Sequence, residues 1–290
     1  MEDQEKILVI GASGALGLEI VKLLKQLEVP LRVLTNSSEG VSKLAPYSND
    51  IWKVDASTKS PEIKNITKGV STVISSLGKS ISLFSPSVDS FYETDYAANK
   101  TILDDAVMNG VKRFVYVSIK GVDSGKDFNI TKAHKMFEEE LISSGLDYTI
   151  LRPVGFYSGL NDLAIMAKRK VLPIVGDGDA KTNSIHHKDM AEVVVSYAKK
   201  GPKIIEIGGP KIHTRLEMAE MVKERFGATI IKVPKTVADI GAMIPNFLSG
   251  GTGDKLDYYT YITTNDMIGE SRGSIVFKDY LKTLDLKELP

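Results

Sequence analysis

The chain opens with a change of hydrophobic period. Ile7 to Ile10 is an unbroken, β-branched-rich apolar run, the pattern of a strand buried on both faces. Directly after it, Leu16, Ile20, Val21, Leu23, Leu24 and Leu27 recur at helical spacing. The alternation continues downstream. Leu31 to Thr35, Ile51 to Val54 and Val70 to Ile74 read as short strands, and Phe91 to Met108 as a long amphipathic helix that Gly110 terminates. Val111 to Ser118 reads as a fifth strand. A helix begins near Phe128 and ends at Gly145, and a sixth strand closes at Arg152-Pro153. Strands alternating with helices from Ile7 to Leu151 predict an α/β fold with a doubly wound parallel sheet. Right-handed crossovers place a ligand at the carboxyl ends of such strands. Gly11, Thr35, Asp55, Ser76, Ser118 and Pro153 all fall at those ends.

Three glycines, Gly11, Gly14 and Gly17, sit on the corner between the first strand and the first helix. A glycine at the turn lets the backbone double back, a second at the helix start lets a pyrophosphate approach, and a third permits close helix–strand packing. The free N–H groups and dipole of the helix N-terminus favour the anion. The spacing is Gly-x-x-Gly-x-x-Gly, and the flanking strand and helix supply the context that a dinucleotide corner requires. The sheet is therefore expected to be Rossmann-type. Residues 1–155 are expected to form the nucleotide domain, with 180–210 returning to its sheet. Residues 156–290 would form a smaller C-terminal substrate or partner lobe, built from Tyr157 to Gly178 together with Pro234 to Leu286. Gly250-Gly-Thr-Gly253 reads as a flexible loop, a candidate lid.

Charge and composition narrow the function classes. With 37 basic and 37 acidic residues the formal net charge is zero, and there is no basic run or arm of the kind nucleic acid demands. The chain has no cysteine, which excludes disulfides, thiolate metal sites and cysteine nucleophiles. The acidic N-terminus is unlike a signal peptide, and no run approaches the ~18 apolar residues needed to span a bilayer. The expectation is a cytoplasmic protein that acts on a small molecule, away from membranes, with a homodimer left open.

Two phrases carry a resemblance. Asn109-Gly-Val-Lys-Arg-Phe-Val-Tyr-Val-Ser118 and Ser144-Gly-Leu-Asp-Tyr-Thr-Ile-Leu-Arg-Pro153, with the glycine corner, are similar to the NmrA-like branch of the atypical, extended short-chain dehydrogenase/reductases. The likeness continues through Asn183-Ser-Ile-His-His-Lys-Asp-Met-Ala191 and Ile207-Gly-Gly-Pro210, and fades after about Val233. It implies an NAD(P)-binding fold. Gly11, Ala12, Ser13, Gly14, Ala15, Leu16 and Gly17 would hold the pyrophosphate. Thr35, Asn36 and Ser37 would face the adenosine ribose, and Asp55 with Ala56 would lie beside the adenine. Ser75, Ser76, Leu77 and Gly78 would floor the groove, and Ser118, His134, Pro153, Val154 and Phe156 would lie near the nicotinamide. At the end of the second strand an NAD-specific site places a carboxylate; Thr35-Asn36-Ser37-Ser38 has none, which favours NADP over NAD. The arginine that many NADP-binding relatives carry there is absent too.

The resemblance also implies what is missing. Ordinary members use a Tyr-x-x-x-Lys pair, whose lysine lowers the tyrosine pKa for proton transfer. Here the lysine slot falls on His134 and the tyrosine slot on Ile130; a slip of two gives Lys132 and Phe128. Neither register supplies a tyrosine. The literal match Tyr96-Ala-Ala-Asn-Lys100 lies on an earlier helix, where it reads as an ordinary i,i+4 pair. The catalytic candidates are His134, Ser118 and Lys132. His134 is read either as a ribose ligand or as an exposed helix-face residue. His186, His187 and Asp189 have no metal-ligand spacing, and Asp189 reads as the cap of a helix from Met190 to Lys199. The implied function is NAD(P)H-dependent transfer of hydride to a quinone or similar acceptor. The alternative is a non-catalytic NAD(P)-binding redox sensor acting through a protein partner.

Overall fold

The first strand, β1 (Ile7–Ile10), is buried at every position, as its apolar run requires. A computed structural model describes residues 5–58, 60–84, 90–234, 236 and 252–289 of the chain. From β1 the chain runs through α1 (Ala15–Gln26), β2 (Leu31–Thr35), α2 (Ser38–Leu44), β3 (Ile51–Lys53) and β4 (Thr72–Ser75). After a π-helical turn at Tyr92–Ala97 come α3 (Ala98–Met108), β5 (Arg113–Val117), α4 (Asn129–Ser143) and β6 (Asp147–Pro153). Further on lie α5 (Asn161–Lys168), β7 (Val171–Val175), β8 (Lys181–Thr182), α6 (His187–Ser196) and β9 (Ile204–Gly208). The chain then forms β10 (His213–Thr214), α7 (Arg215–Phe226), β11 (Thr229–Val233), α8 (Thr252–Thr264), β12 (Glu270–Ser271) and α9 (Phe277–Thr283).

The strand order β12-β9-β6-β5-β4-β1-β2-β3 is that of a doubly wound sheet. Parallel ladders join β3 to β2, β2 to β1, β1 to β4, β4 to β5 and β5 to β6. The order reverses between β1 and β4, which creates a crevice at their carboxyl ends. Two differences from the expected elements have physical reasons. The helix expected from Phe91 opens in a wider π turn, which carries the fully buried Asp95. The helix expected from Met190 starts instead at His187, so Asp189 lies buried in its first turn rather than capping it. An acid there still complements the helix dipole.

The chain divides into two compact units. The first comprises 1–79, 89–152 and 187–205. Its core joins Leu8, Ile10, Ile102, Phe114, Tyr116, Phe137 and Ile150. The second comprises 80–88, 153–186 and 206–290. Its core is formed by Tyr157, Leu172, Met218, Val222, Phe277 and Leu281. There β7 and β11 pair in parallel, and α7 is delimited by a Thr214–Glu217 capping box and by Gly227 in the left-handed region. Of the expected loop at Gly250–Gly253, Gly250 and Gly251 lie outside the described residues, and Thr252 begins α8.

One ion cluster in the first unit ties the three N-terminal strands together. Asp50 accepts from Lys6 Nζ at 3.0 Å, from Arg32 Nε at 3.0 Å and from Trp52 Nε1 at 3.1 Å. Burial alone would raise its carboxyl; the Lys6 hydrogen bond and the Arg32 charge outweigh it and hold the group below its ordinary 3.8. A depressed folded-state pKa means stability that is present above the unfolded value and lost as pH falls through the folded one. Asp50→Asn is therefore expected to flatten the acid limb of a melting-temperature profile below about pH 4. An unchanged acid limb would show that the cluster contributes no such linkage.

Candidate nucleotide site

The glycine corner is built from close backbone approaches. Gly11 has φ +72°, and a Cβ on it would lie 2.7 Å from Leu77 N and 2.8 Å from the Ser76 carbonyl. On Gly17 a Cβ would come within 2.1 Å of the Gly11 carbonyl oxygen. Gly14 caps α1 without any side-chain hydrogen bond, and no acid stands in the first turn. Gly14 and Ala15 are exposed. The helix N-terminus therefore offers free N–H groups and a positive dipole end to an anion. Ser13 and Thr35 hydroxyls lie 3.1 Å apart and link the corner to the end of β2, while Ala12 and Leu16 are buried beneath it.

The end of β2 is polar and lacks acids. Thr35 is buried, Asn36 is exposed, and Ser37 Oγ accepts from Gly40 N at 3.0 Å, which caps α2. Arg32 is committed elsewhere, paired with Asp50 and stacked 5.2 Å over the Trp52 ring. Asp55 is exposed beyond β3 and accepts from the Ser57 amide and hydroxyl, while Ala56 is buried behind it.

The segment Ser75–Lys79 is fixed from two sides. Ser76 N and Oγ both donate to Ile10 O, at 3.1 and 3.2 Å. From the other side, Ser75 Oγ donates to Asn99 Oδ1 at 2.5 Å, and Asn99 Nδ2 donates to Leu77 O at 3.3 Å. Lys79 N donates to Asp95 Oδ1 at 3.1 Å, and a Cβ on Gly78 would lie 3.1 Å from that same oxygen. The π turn and α3 thus hold the exposed Gly78 backbone in place.

Asp95 leads to His134. The imidazole Nε2 lies 3.2 Å from Asp95 Oδ1, and Nδ1 lies 2.5 Å from the Tyr116 hydroxyl. With a proton on Nε2 and the lone pair on Nδ1, the ring satisfies both contacts, donating to the carboxylate and accepting from the phenol. His134 is only 3% exposed, so the reading of an exposed helix-face residue does not describe it. Tyr116 does not replace the missing catalytic tyrosine: burial, with the Asp95 and Glu138 carboxylates nearby, pushes its phenol well above the ordinary 10.0. A proton-transferring tyrosine in this fold needs the opposite shift. Ser118 Oγ donates to Glu138 Oε1 at 2.5 Å, and that carboxylate is clamped by Arg152. Lys132 is exposed on α4. Tyr96 donates to Glu140 at 3.3 Å and Lys100 to Asp104 at 2.6 Å, so the literal Tyr-x-x-x-Lys match braces helices.

In the second unit, Pro153 and Val154 are buried, Val154 N donates to Ile207 O at 2.9 Å, and Phe156 is half-buried opposite Ile185. Among the described residues no group of three His, Asp or Glu side chains is placed to hold a metal ion. No described helix is long and apolar enough to cross a membrane.

Sequence reasoning missed Asp95, Asn99, Tyr116 and Glu138. One signal was present: His134 and Glu138 are four apart on the same apolar stripe of α4 as Ile130, Phe137 and Leu141. Polar residues on a buried stripe require partners. Asp95 Oδ2 is buried without a hydrogen-bond partner among the described residues, which leaves this network an acceptor to spare.

A doubly wound sheet, a glycine corner at its switch point and an uncapped helix N-terminus define a dinucleotide-binding protein. The chain belongs to the NAD(P)H-binding family, whose sequence profile matches residues 11–200. It is 24% identical over 223 residues to Protein FMP52, mitochondrial, of Candida albicans, covering 69% of this chain and 93% of that protein. It is 25% identical over 235 residues to the photosystem II assembly factor Ycf39 of Guillardia theta, covering 79% and 73%. Among solved structures, it superposes on an Escherichia coli NADPH-dependent quinone oxidoreductase complexed with NADPH, with a TM-score of 0.73 and 18% identity, over 95% of this chain and 98% of that one. That likeness is one of fold.

Proposed function

We propose that the chain is an NAD(P)H-dependent oxidoreductase of the NmrA-like, atypical short-chain type, with a quinone or similar small acceptor. The observation that carries this reading is the state of the proton machinery. In place of Tyr-x-x-x-Lys stands a buried Tyr116–His134–Asp95 chain, whose phenol is held protonated. Such a site suits an acceptor that takes its proton from water. When bound, the reduced nicotinamide supplies a hydride, and the quinone takes it with one solvent proton to give the hydroquinone. The Gly11–Gly17 corner would hold the pyrophosphate, and the Ser75–Gly78 backbone the ribose. His134 would act one step removed, by fixing Asp95 and through it the Lys79 amide.

The second reading is a nucleotide sensor that works through a protein partner. The similarity to Ycf39, named as an assembly factor, favours it. The single tryptophan, Trp52, lies on β3 and provides the test. NADPH and NADH are titrated against its emission, and quinones are then added while absorbance of the reduced ring is followed. Oxidation of bound cofactor supports the oxidoreductase; tight binding without oxidation supports the sensor. Absence of binding would remove both. In the same assay His134→Ala is expected to weaken cofactor binding by about tenfold, the worth of one hydrogen bond to a charged group. An unchanged dissociation constant would end the role given to His134.

A further inference from the structure

The turn after β2 holds neither an arginine nor a carboxylate, yet the neighbouring strand delivers a cation to it. In the β2–β3 ladder Lys53 stands opposite Thr35, the last residue of β2. Its Nζ donates to Ser38 Oγ at 2.8 Å, on the exposed side of the turn. Among the described residues no carboxylate lies within ion-pair distance of Lys53, whereas the other charges nearby are spoken for. Arg32 is bound to Asp50, and Lys43 to Glu39 at 2.7 Å. Glu39 follows Ser38 in the first turn of α2, where the hydrogen bond and charge of Lys43, one turn along, hold its carboxyl below its ordinary value, so the nearest acid already has a cation of its own. Asp55 is engaged by Ser57. A ligand at the end of β2 therefore meets the Lys53 ammonium, the Ser38 hydroxyl and the exposed Asn36 amide.

Donors and a positive charge without an opposing carboxylate are the recognition chemistry of a phosphate monoester. In a doubly wound nucleotide fold the 2′ position of the adenosine ribose lies at this place. The geometry points to Lys53 as the residue that selects the 2′-phosphorylated cofactor, NADPH, over NADH, with Ser38 as its partner. This deepens the cofactor reading above and rests on it. The cation comes from β3 rather than from the β2 turn, so a search for an arginine after β2 does not find it. A lysine is a point charge rather than a planar fork, so the preference should fall as salt screens it.

The test is calorimetric titration of the whole chain with NADPH and NADH, and with 2′,5′-ADP and 5′-AMP as fragments. The wild type is expected to bind NADPH tighter than NADH by about tenfold or more, the scale of one hydrogen bond to a charged group. Lys53→Ala should erase that preference while leaving the NADH affinity within about twofold, and Lys53→Arg should retain it. Lys53→Glu should invert it. Since Lys53 is exposed, unchanged melting temperatures serve as the check on folding. Equal loss of both cofactors in Lys53→Ala, or an unaltered NADPH affinity, would overturn the assignment while leaving the cofactor reading intact. Failure of the wild type to bind either cofactor would overturn both together.

Discussion

Arg152→Ala is expected to destabilise the protein by about 3–5 kcal/mol, because it strands a buried carboxylate. Glu138 is 3% exposed and is clamped by the guanidinium, with Nε to Oε1 at 3.0 Å and Nη2 to Oε2 at 2.5 Å. The Ser118 hydroxyl adds a third donor to the same carboxylate. The Glu138 hydrogen bond raises the guanidinium pKa, and burial opposes it without prevailing. The two groups are thus paired out of water, and truncating one partner leaves the other uncompensated. The comparison that separates pair from penalty is Arg152→Met with Glu138→Met together. Replacing both partners by apolar groups should recover most of the loss. Asp123, which also accepts from Arg152 at 2.6 Å but is largely exposed, provides the contrast. Asp123→Asn should cost no more than about 1 kcal/mol. Urea unfolding with a common m-value measures all three. A loss in Arg152→Ala no larger than in Asp123→Asn would show that Glu138 finds other solvation.

The pair also marks the boundary of what the amino-acid pattern reveals. Strand ends were legible because burial period and glycine placement are local properties: Ile7–Ile10 and Leu31–Thr35 coincide with β1 and β2. The glycine corner was legible because its context, strand then helix, lies within twenty residues of chain. Glu138 and Arg152 were not, since their pairing depends on α4 folding back beside β6. The same holds for Asp95 and His134, brought together from two different helices. The π turn that carries Asp95 left no trace in the hydrophobic period, because Phe91 and Ala98 keep their buried face on either side of it. Lys53 was missed for a third reason. Its position is set by a strand ladder, and a ladder partner is invisible until register is known.

Gly11→Ala is expected to abolish measurable cofactor binding and to cost about 2–5 kcal/mol of stability, from two sources. The left-handed φ of +72° costs a residue with a Cβ about 1–2 kcal/mol. The new methyl would also press on Leu77 N and the Ser76 carbonyl, backbone atoms that no rotamer change can move aside. The floor segment would have to shift, adding about 1–3 kcal/mol of overpacking and displacing the Gly78 backbone. Gly110 isolates the first source: its φ is +71°, yet a Cβ there meets nothing within 4 Å. Gly110→Ala should therefore cost only about 1–2 kcal/mol and leave cofactor affinity unchanged. Gly14→Ala isolates the binding effect. Its φ of −73° is ordinary, and a Cβ would meet only the Gly11 carbonyl oxygen at 3.2 Å. Stability should change by less than about 1 kcal/mol, whereas the methyl would stand where a pyrophosphate must approach the α1 N-terminus. Thermal melts and cofactor titrations on the three variants are thus expected to diverge. Gly11→Ala loses both properties, Gly110→Ala stability alone, and Gly14→Ala affinity alone. If Gly14→Ala bound cofactor as tightly as the wild type, the pyrophosphate would have to lie elsewhere than on this helix end.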